Sequence, residues 1–168
     1  SLLDKQGMRS FKEVFAPKTR VLSQNFDLSC FETITLFSSV ASLLGGAGQG
    51  NYASANSLLD SWSFESQNRG VHVRAVQWGA WSSSGMASEA VLRRLERIGQ
   101  GMITAEQGLS SLERILCLDQ LAYSPVVAVN KFEWSKYLTD ASPSMFSEFK
   151  VQGAAEAKSS KSMSKPGS

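Results

Sequence analysis

An α/β fold built on an open parallel sheet follows from three features of this 168-residue chain. Two β-branched and aromatic runs, FETITLFS at 31–38 and VHVRAVQW at 71–78, read as strands. Between them, residues 52–68 carry helical periodicity. A third short run, PVVAV at 125–129, follows a further helical segment. A strand, a helix and a strand in that order form a βαβ unit, so the first two strands should be parallel neighbours joined by a right-handed crossover.

The elements follow in chain order. Residues 10–23 (SFKEVFAPKTRVLS) place Phe11, Val14, Phe15, Val21 and Leu22 at helical spacing, and Pro17 predicts a start or a kink inside that helix. The strand at 31–38 is apolar enough to be buried. GGAGQG at 45–50 reads as a loop, because so many glycines cost too much backbone entropy in a helix. Tyr52 opens a long helix whose stripe is Ala55, Leu58, Leu59 and Trp62, with Arg69-Gly70 as its stop. Val71, Val73, Ala75 and Val76 bury at least one face of the second strand. A serine- and glycine-rich stretch then leads to helices at 88–98 and 104–117. Thr104 and Gln107 fit a capping box for the second, with Leu109, Leu112, Ile115 and Leu116 as its stripe. Residues 131–138 (KFEWSKYL) predict one more short helix. From Val151 the chain is rich in Ser, Lys, Gly and Ala and reads as a linker or tail, so the folded domain is expected at 1–148 and the linker at 149–168.

Composition narrows the functional classes. Apolar residues make up 42% and charged ones 19%, which suits one globular domain with a core. A net charge of +2 predicts neither a nucleic-acid binder nor a membrane-surface protein. No apolar run approaches the ~20 residues that span a bilayer. The start, SLLDKQGMRSFKEV, lacks a secretory pattern and a methionine, as a piece of a longer chain would. Cys30 and Cys117 lie in apolar surroundings without metal-ligand spacing, which predicts buried thiols of a reducing compartment and a cytoplasmic location.

The most specific stretch is LFSSVASLLGGAGQGNYASAN at 36–56. Ser39 ends the first strand, Tyr52 opens the long helix, and Asn56 follows Tyr52 by four residues, about one turn on the same face. A hydroxyl, a phenol and an amide converging at a strand's end can polarise a carbonyl and hand it a proton. Ligands of open parallel sheets bind beyond the carboxyl ends of the strands. Ser39, Tyr52 and the loop from Gly79 to Met86 all belong to that rim. Singly each residue is weak: a tyrosine at a helix start is usually a packing residue, a strand-end serine a turn former, and a first-turn asparagine a local hydrogen bonder. Spacing, order and sheet end agree only in combination.

Those residues resemble the short-chain dehydrogenase/reductase superfamily, with its Rossmann-like, doubly wound parallel sheet. More narrowly they resemble the ketoreductase domain of modular polyketide synthases. VQWGAWSSSGM at 76–86 is similar to that family's WGxW…GM segment, and VFAPKTRVL at 14–22 resembles the helix that carries its catalytic lysine. Ordinary members of the superfamily place the lysine four residues after the tyrosine. Here that position is Asn56 and the lysine is Lys18, an exchange characteristic of polyketide ketoreductases. The resemblance covers about residues 1–140.

It implies roles residue by residue. Tyr52 donates the proton to the substrate carbonyl oxygen and Ser39 orients that oxygen. Lys18 supplies positive charge beside the phenol and holds the nicotinamide ribose, and Asn56 positions Lys18 or a relay water. Hydride comes from the cofactor, because no side chain supplies it. The resemblance further implies NADPH as cofactor, with Lys18, Tyr52, Gly79, Ala80 and Trp81 against it, and Leu44, Gln49 and Met86 against substrate. The implied partners are an acyl carrier protein bearing a phosphopantetheine-bound substrate, the first half of the domain, and neighbouring synthase domains. The implied reaction is reduction of a β-ketoacyl thioester. A fatty-acid-type or free-standing ketoreductase and a non-catalytic structural half-domain are the alternatives.

Two departures stand out. Lys18 and Ser39 lie 21 residues apart, a few fewer than in the family, which shortens the link around 23–28. The family's stereochemical markers are also missing: Leu44 stands where a tryptophan marks one product hand, and Ser54 where a proline accompanies the other.

Other signals lead nowhere. GGAGQG is not the dinucleotide fingerprint, since Asn51 occupies the third glycine position. His72, the one histidine, reads as a mid-strand surface residue rather than a base, and Lys158, Lys161 and Lys165 as a solvated linker. No phosphate-binding loop or ribose-reading acid precedes the first strand. The chain therefore reads as the second half of a ketoreductase domain, and the isolated 168-residue polypeptide is expected to show no reductase activity, checked by nicotinamide oxidation. Turnover by the polypeptide alone would overturn that expectation.

Overall fold

A computed structural model describes residues 6–22, 30–69, 71–82, 89–117, 124–138 and 144–147. Its elements are α1 (Met8–Leu22), β1 (Ile34–Ser39), α2 (Ala41–Leu44), α3 (Gly50–Asn68), β2 (Val73–Trp78), α4 (Glu89–Arg97), β3 (Gln100–Gly101), α5 (Ala105–Cys117), β4 (Val126–Val129), β5 (Lys131–Phe132) and α6 (Trp134–Tyr137), followed by a 3₁₀ turn at Ser144–Phe146. They fall into two units, one of residues 1–79 and 104–129, the other of residues 80–103 and 130–168.

The first unit holds the parallel sheet, in the order β1-β2-β4. Ile34 pairs with Val73 and Ser39 with Trp78, so the two strands end level. The predicted βαβ unit is present, with α3 as its crossover, and this is the parallel α/β architecture of a partial Rossmann-like fold. Its core is Leu36, Leu59, Val73 and Ala75, with Ile34, Trp62, Val71 and Val126 packed around them. α1 lies on α3 and half-buries Phe11, Val14, Phe15, Lys18 and Leu22, a single face at helical spacing.

Several boundaries differ from those the sequence predicts. α1 starts at Met8 and runs on through Pro17, so the helix does not start at that proline, the first of the two expected outcomes. The proline removes one N–H, the donor toward the carbonyl of Glu13, and the turns on either side persist. β1 buries Leu36 and Ser38 on one face, and on the other only Ser39 at its end. Phe37 points to the other face, is 54% exposed, and meets the Trp78 ring at 5.7 Å between centroids. A short helix, α2, precedes the glycine loop and ends at Gly45 in the left-handed region (φ +70), while Gly50 already belongs to α3. His72 is not mid-strand: Val73 N–H turns back to Val71 O at 3.0 Å, so β2 starts after an exposed His72.

α5 has the expected capping box. Gln107 N–H donates to Thr104 Oγ1, and Thr104 N–H donates to Gln107 Oε1, both at 3.2 Å. At its other end the Arg74 guanidinium donates to Ile115 O at 2.5 Å, satisfying a last-turn carbonyl and tying α5 to β2. The buried line is Gly108 and Ile115, and Leu109 and Leu116, each about 100° further round, are exposed rather than part of the core stripe. Cys117 at the helix end and Cys30 ahead of β1 are both exposed, so the expectation of buried thiols is wrong. Gly70, Met86 and everything from 148 onward lie outside the described residues.

In the second unit, residues 131–138 form β5 and then the four-residue α6 rather than one helix, because β3 takes up Lys131 and Phe132 in an antiparallel pair. Trp81 bridges Ile103, and Ile103 N–H donates to Ala80 O at 2.8 Å. Phe132 stacks on Trp134 at 4.6 Å, and Tyr137 meets Phe146 edge-on at 5.5 Å, so an aromatic cluster anchors the unit. Among the described residues no helix is long and apolar enough to cross a membrane.

Candidate functional site

The carboxyl ends of β1 and β2 and the first turns of α3 bring the polar residues together. α3 begins under restraint. Gln6 accepts from Asn51 N–H at 3.0 Å and donates to Gly48 O at 3.1 Å, while Asn51 Nδ2 donates to Ser10 O at 3.2 Å. The start of α3 is thereby fixed to the start of α1. Two turns further along α1, Lys18 Nζ stands 5.9 Å from the centroid of the Tyr52 ring, within cation–π range. The shorter 18-to-39 spacing therefore leaves lysine and tyrosine side by side. Burial pushes the Lys18 pKa below the ordinary lysine value, and the Asp60 carboxylate opposes that shift. Tyr52 is 37% exposed, so its ring is open to a solute.

Asn56 is fully buried, and its Nδ2 donates to Tyr52 O at 2.8 Å. This is the local bond an asparagine ordinarily makes in a helix. Its Oδ1, however, is buried with no donor among the described residues. The serine pair divides its work. Ser38 Oγ donates to Asn56 O at 3.3 Å, stitching β1 to the turn of α3 that carries Tyr52 and Asn56. Ser39 Oγ accepts the Ala41 N–H at 3.2 Å, which leaves its own hydrogen available for a carbonyl oxygen.

Of the other predicted site residues, Gly79 is buried just past β2, and its N–H donates to Val129 O at 2.8 Å. Leu44 is half-buried at the end of α2, and Gln49 is exposed at the N-cap of α3. Ala80 and Trp81 belong to the second unit, and Met86 lies outside the described residues.

Sequence reasoning missed a buried polar network beneath the serine turn. Asp60 Oδ2 accepts from Ser42 Oγ at 2.6 Å and from Gln77 Nε2 at 2.8 Å, and Ser42 Oγ also lies 2.7 Å from Ser39 O. The available signal was spacing: Asp60 follows Asn56 by four residues and Tyr52 by eight, on one helix face.

A family model described as "KR domain" matches residues 1–83. The chain is 37% identical over 109 residues to "Polyketide synthase GfsE" of Streptomyces halstedii, covering 62% of this chain and 3% of that protein. It is 33% identical over 135 residues to "Spectinabilin polyketide synthase system protein NorB" of Streptomyces orinoci, covering 74% and 6%. Among solved structures, "The first ketoreductase of the tylosin PKS" superposes with a TM-score of 0.71 at 28% identity, covering 82% of this chain and 30% of that one. A ketoreductase from the first module of phoslactomycin biosynthesis in Streptomyces sp. HK803 gives a TM-score of 0.75 at 26% identity, covering 85% and 34%. The chain thus spans a few per cent of these curated relatives and about a third of these solved ketoreductases.

Proposed function

Because the chain belongs to the ketoreductase domain family of the polyketide synthases, we propose that it supplies the proton-donating part of an NADPH-dependent β-ketoacyl reductase. The substrate is a β-ketoacyl thioester held on the phosphopantetheine arm of an acyl carrier protein, and the product is the β-hydroxyacyl thioester. On this reading residues 1–148 are catalytic-domain sequence, and 149–168 lead toward the next part of the synthase.

The observation that carries the proposal is the half-buried ammonium of Lys18 over the ring of Tyr52, at the carboxyl end of a parallel sheet. Positive charge there stabilises the negative charge that develops on the phenol oxygen as its proton leaves. Tyr52 gives that proton to the ketone oxygen, and the Ser39 hydroxyl donates a hydrogen bond to the same oxygen and orients it. The donor set also fits the ribose end of a nicotinamide cofactor, since an ammonium and a phenol side by side can both bond its hydroxyls. When bound, NADPH supplies the hydride. Lys18, Tyr52 and the backbone around Gly79 are the groups of the sheet unit that would hold it.

The test compares Ser39→Ala with Ser38→Ala in the intact synthase module, following nicotinamide oxidation with a β-ketoacyl thioester. Ser39→Ala should lower kcat about 10²–10³-fold, as loss of one oxyanion-type donor does, while Ser38→Ala stays within about threefold. A parent module that leaves the ketone untouched, or a Ser39→Ala variant as fast as the parent, would sink the reading.

A further inference from the structure

Asp60 has no part in the roles described so far, yet among the described residues it is the most constrained carboxylate of the sheet unit. It is 9% exposed, and one oxygen accepts both Ser42 Oγ and Gln77 Nε2. A buried carboxylate is costly unless it has hydrogen-bond donors or a counter-charge. Ser42 and Gln77 are neutral, so they leave the charge itself uncompensated. Asp60 Oδ1 is buried and lacks a donor among the described residues, as does Asn56 Oδ1 one turn earlier on the same helix. Two unpartnered acceptors a turn apart are what an ammonium, with its three N–H donors, can satisfy. The cation on the facing helix α1 is Lys18, whose Nζ lies 5.9 Å from the ring of Tyr52, one turn before Asn56 on the same face of α3, and its ammonium feels the Asp60 charge.

Resting on the reductase reading, we propose that Asp60 is a positioning residue of this site. Its carboxylate locks the turn carrying Ser39 onto the helix carrying Tyr52, and it supplies the counter-charge for the Lys18 ammonium. The first function runs through the Ser42 hydroxyl, whose one hydrogen lies between Asp60 Oδ2 and the Ser39 carbonyl, and from Asp60 to Gln77 near the end of β2. One side chain thereby registers α2, α3 and β2 around the reacting groups. The second function keeps Lys18 cationic in a place where burial favours its neutral form. The charged and titratable groups around this pair are few. α3 contributes Tyr52, Asp60 and Glu65, and Glu65 is engaged with Arg69 at the far end. α1 contributes Arg9 and Glu13, paired with each other, along with Lys12, Lys18 and Arg20. β2 contributes Arg74, bonded to Ile115 O, while β1, β4 and α2 contribute none.

The experiment uses the full-length synthase module, with Asp60→Asn, Ser42→Ala and Tyr52→Phe beside the parent. Asparagine keeps the shape and removes the charge. Asp60→Asn should lower kcat about 10–100-fold with KM changed less than twofold, and move the alkaline limb of the kcat profile to lower pH, because Lys18 then loses its proton more readily. Ser42→Ala keeps the charge, so it should lower kcat by a smaller factor and leave that limb in place. Parental kcat and pH profile in Asp60→Asn, with Tyr52→Phe inactive, overturns the proposal and leaves the reductase reading standing. Reduction retained in Tyr52→Phe overturns both. Should Asp60→Asn not fold, Ser42→Ala decides: a lower kcat at unchanged KM supports the coupling of Asp60 to the Ser39 turn, and parental kcat overturns it.

Discussion

Ketone reduction by a Tyr52→Phe variant should fall about 10²–10⁴-fold, the range that removal of a general acid produces. At about 1.4 kcal/mol per decade this corresponds to roughly 3–5 kcal/mol of lost transition-state stabilisation. The substitution isolates the hydroxyl. Phenylalanine keeps a ring beneath the Lys18 ammonium, and Asn56 Nδ2 still finds the backbone carbonyl of residue 52. The side chain is 37% exposed, so stability should change by no more than about 0.5 kcal/mol. The measurement pairs kcat/KM on a β-ketoacyl thioester with a melting curve. A variant that melts like the parent and reduces like it removes Tyr52 from the chemistry.

The second large effect is structural and lies in the other unit. Gly99 has φ +77, and a Cβ there would sit 2.7 Å from both Glu133 O and Tyr137 N and 2.9 Å from the Lys136 Cβ. Two of those three atoms belong to the backbone, so no rotamer change relieves the contact. Moving them disturbs the Glu133 N–H bond to Gly99 O and the first bonds of α6. Gly99→Ala therefore combines a left-handed backbone cost of about 1–2 kcal/mol with a steric one, for a total of about 2–4 kcal/mol. Hydrogen exchange at α6 and the fluorescence of Trp134, stacked on Phe132 within the same unit, report the loss. Parental exchange at α6 would show that the close approach is unimportant.

How much was legible beforehand varied with the length scale of the interaction. The βαβ unit, its parallel pairing and the capping box at Thr104 are local or periodic features, so pattern alone identifies them. The four residues Lys18, Ser39, Tyr52 and Asn56 were legible as a set because they resemble a family motif, and spacing by itself related only Tyr52 to Asn56. Burial was read less well. Phe37, Leu109, Leu116 and both cysteines are exposed although each lies in apolar sequence, because exposure depends on what packs opposite. The helix does not start at Pro17 for a related reason: the apolar face of α1 against α3 outweighs one missing hydrogen bond.

The opposite limit is the network of Asp60, Ser42 and Gln77, whose members lie 17, 18 and 35 residues apart. Nothing in composition or periodicity joins a helix aspartate to a strand glutamine. By itself, the amino-acid sequence determined the parallel α/β class, the helix face shared by Tyr52 and Asn56, and the resemblance that made Lys18 a candidate, because these rest on backbone period and on motif. Only the tertiary structure decided that Lys18 stands over Tyr52, that Ser38 is committed to the α3 backbone while the Ser39 hydroxyl keeps its hydrogen, and that a buried carboxylate lies beneath them. Those outcomes depend on how α1, α3 and the strand ends converge, which is a matter of packing between elements distant in sequence.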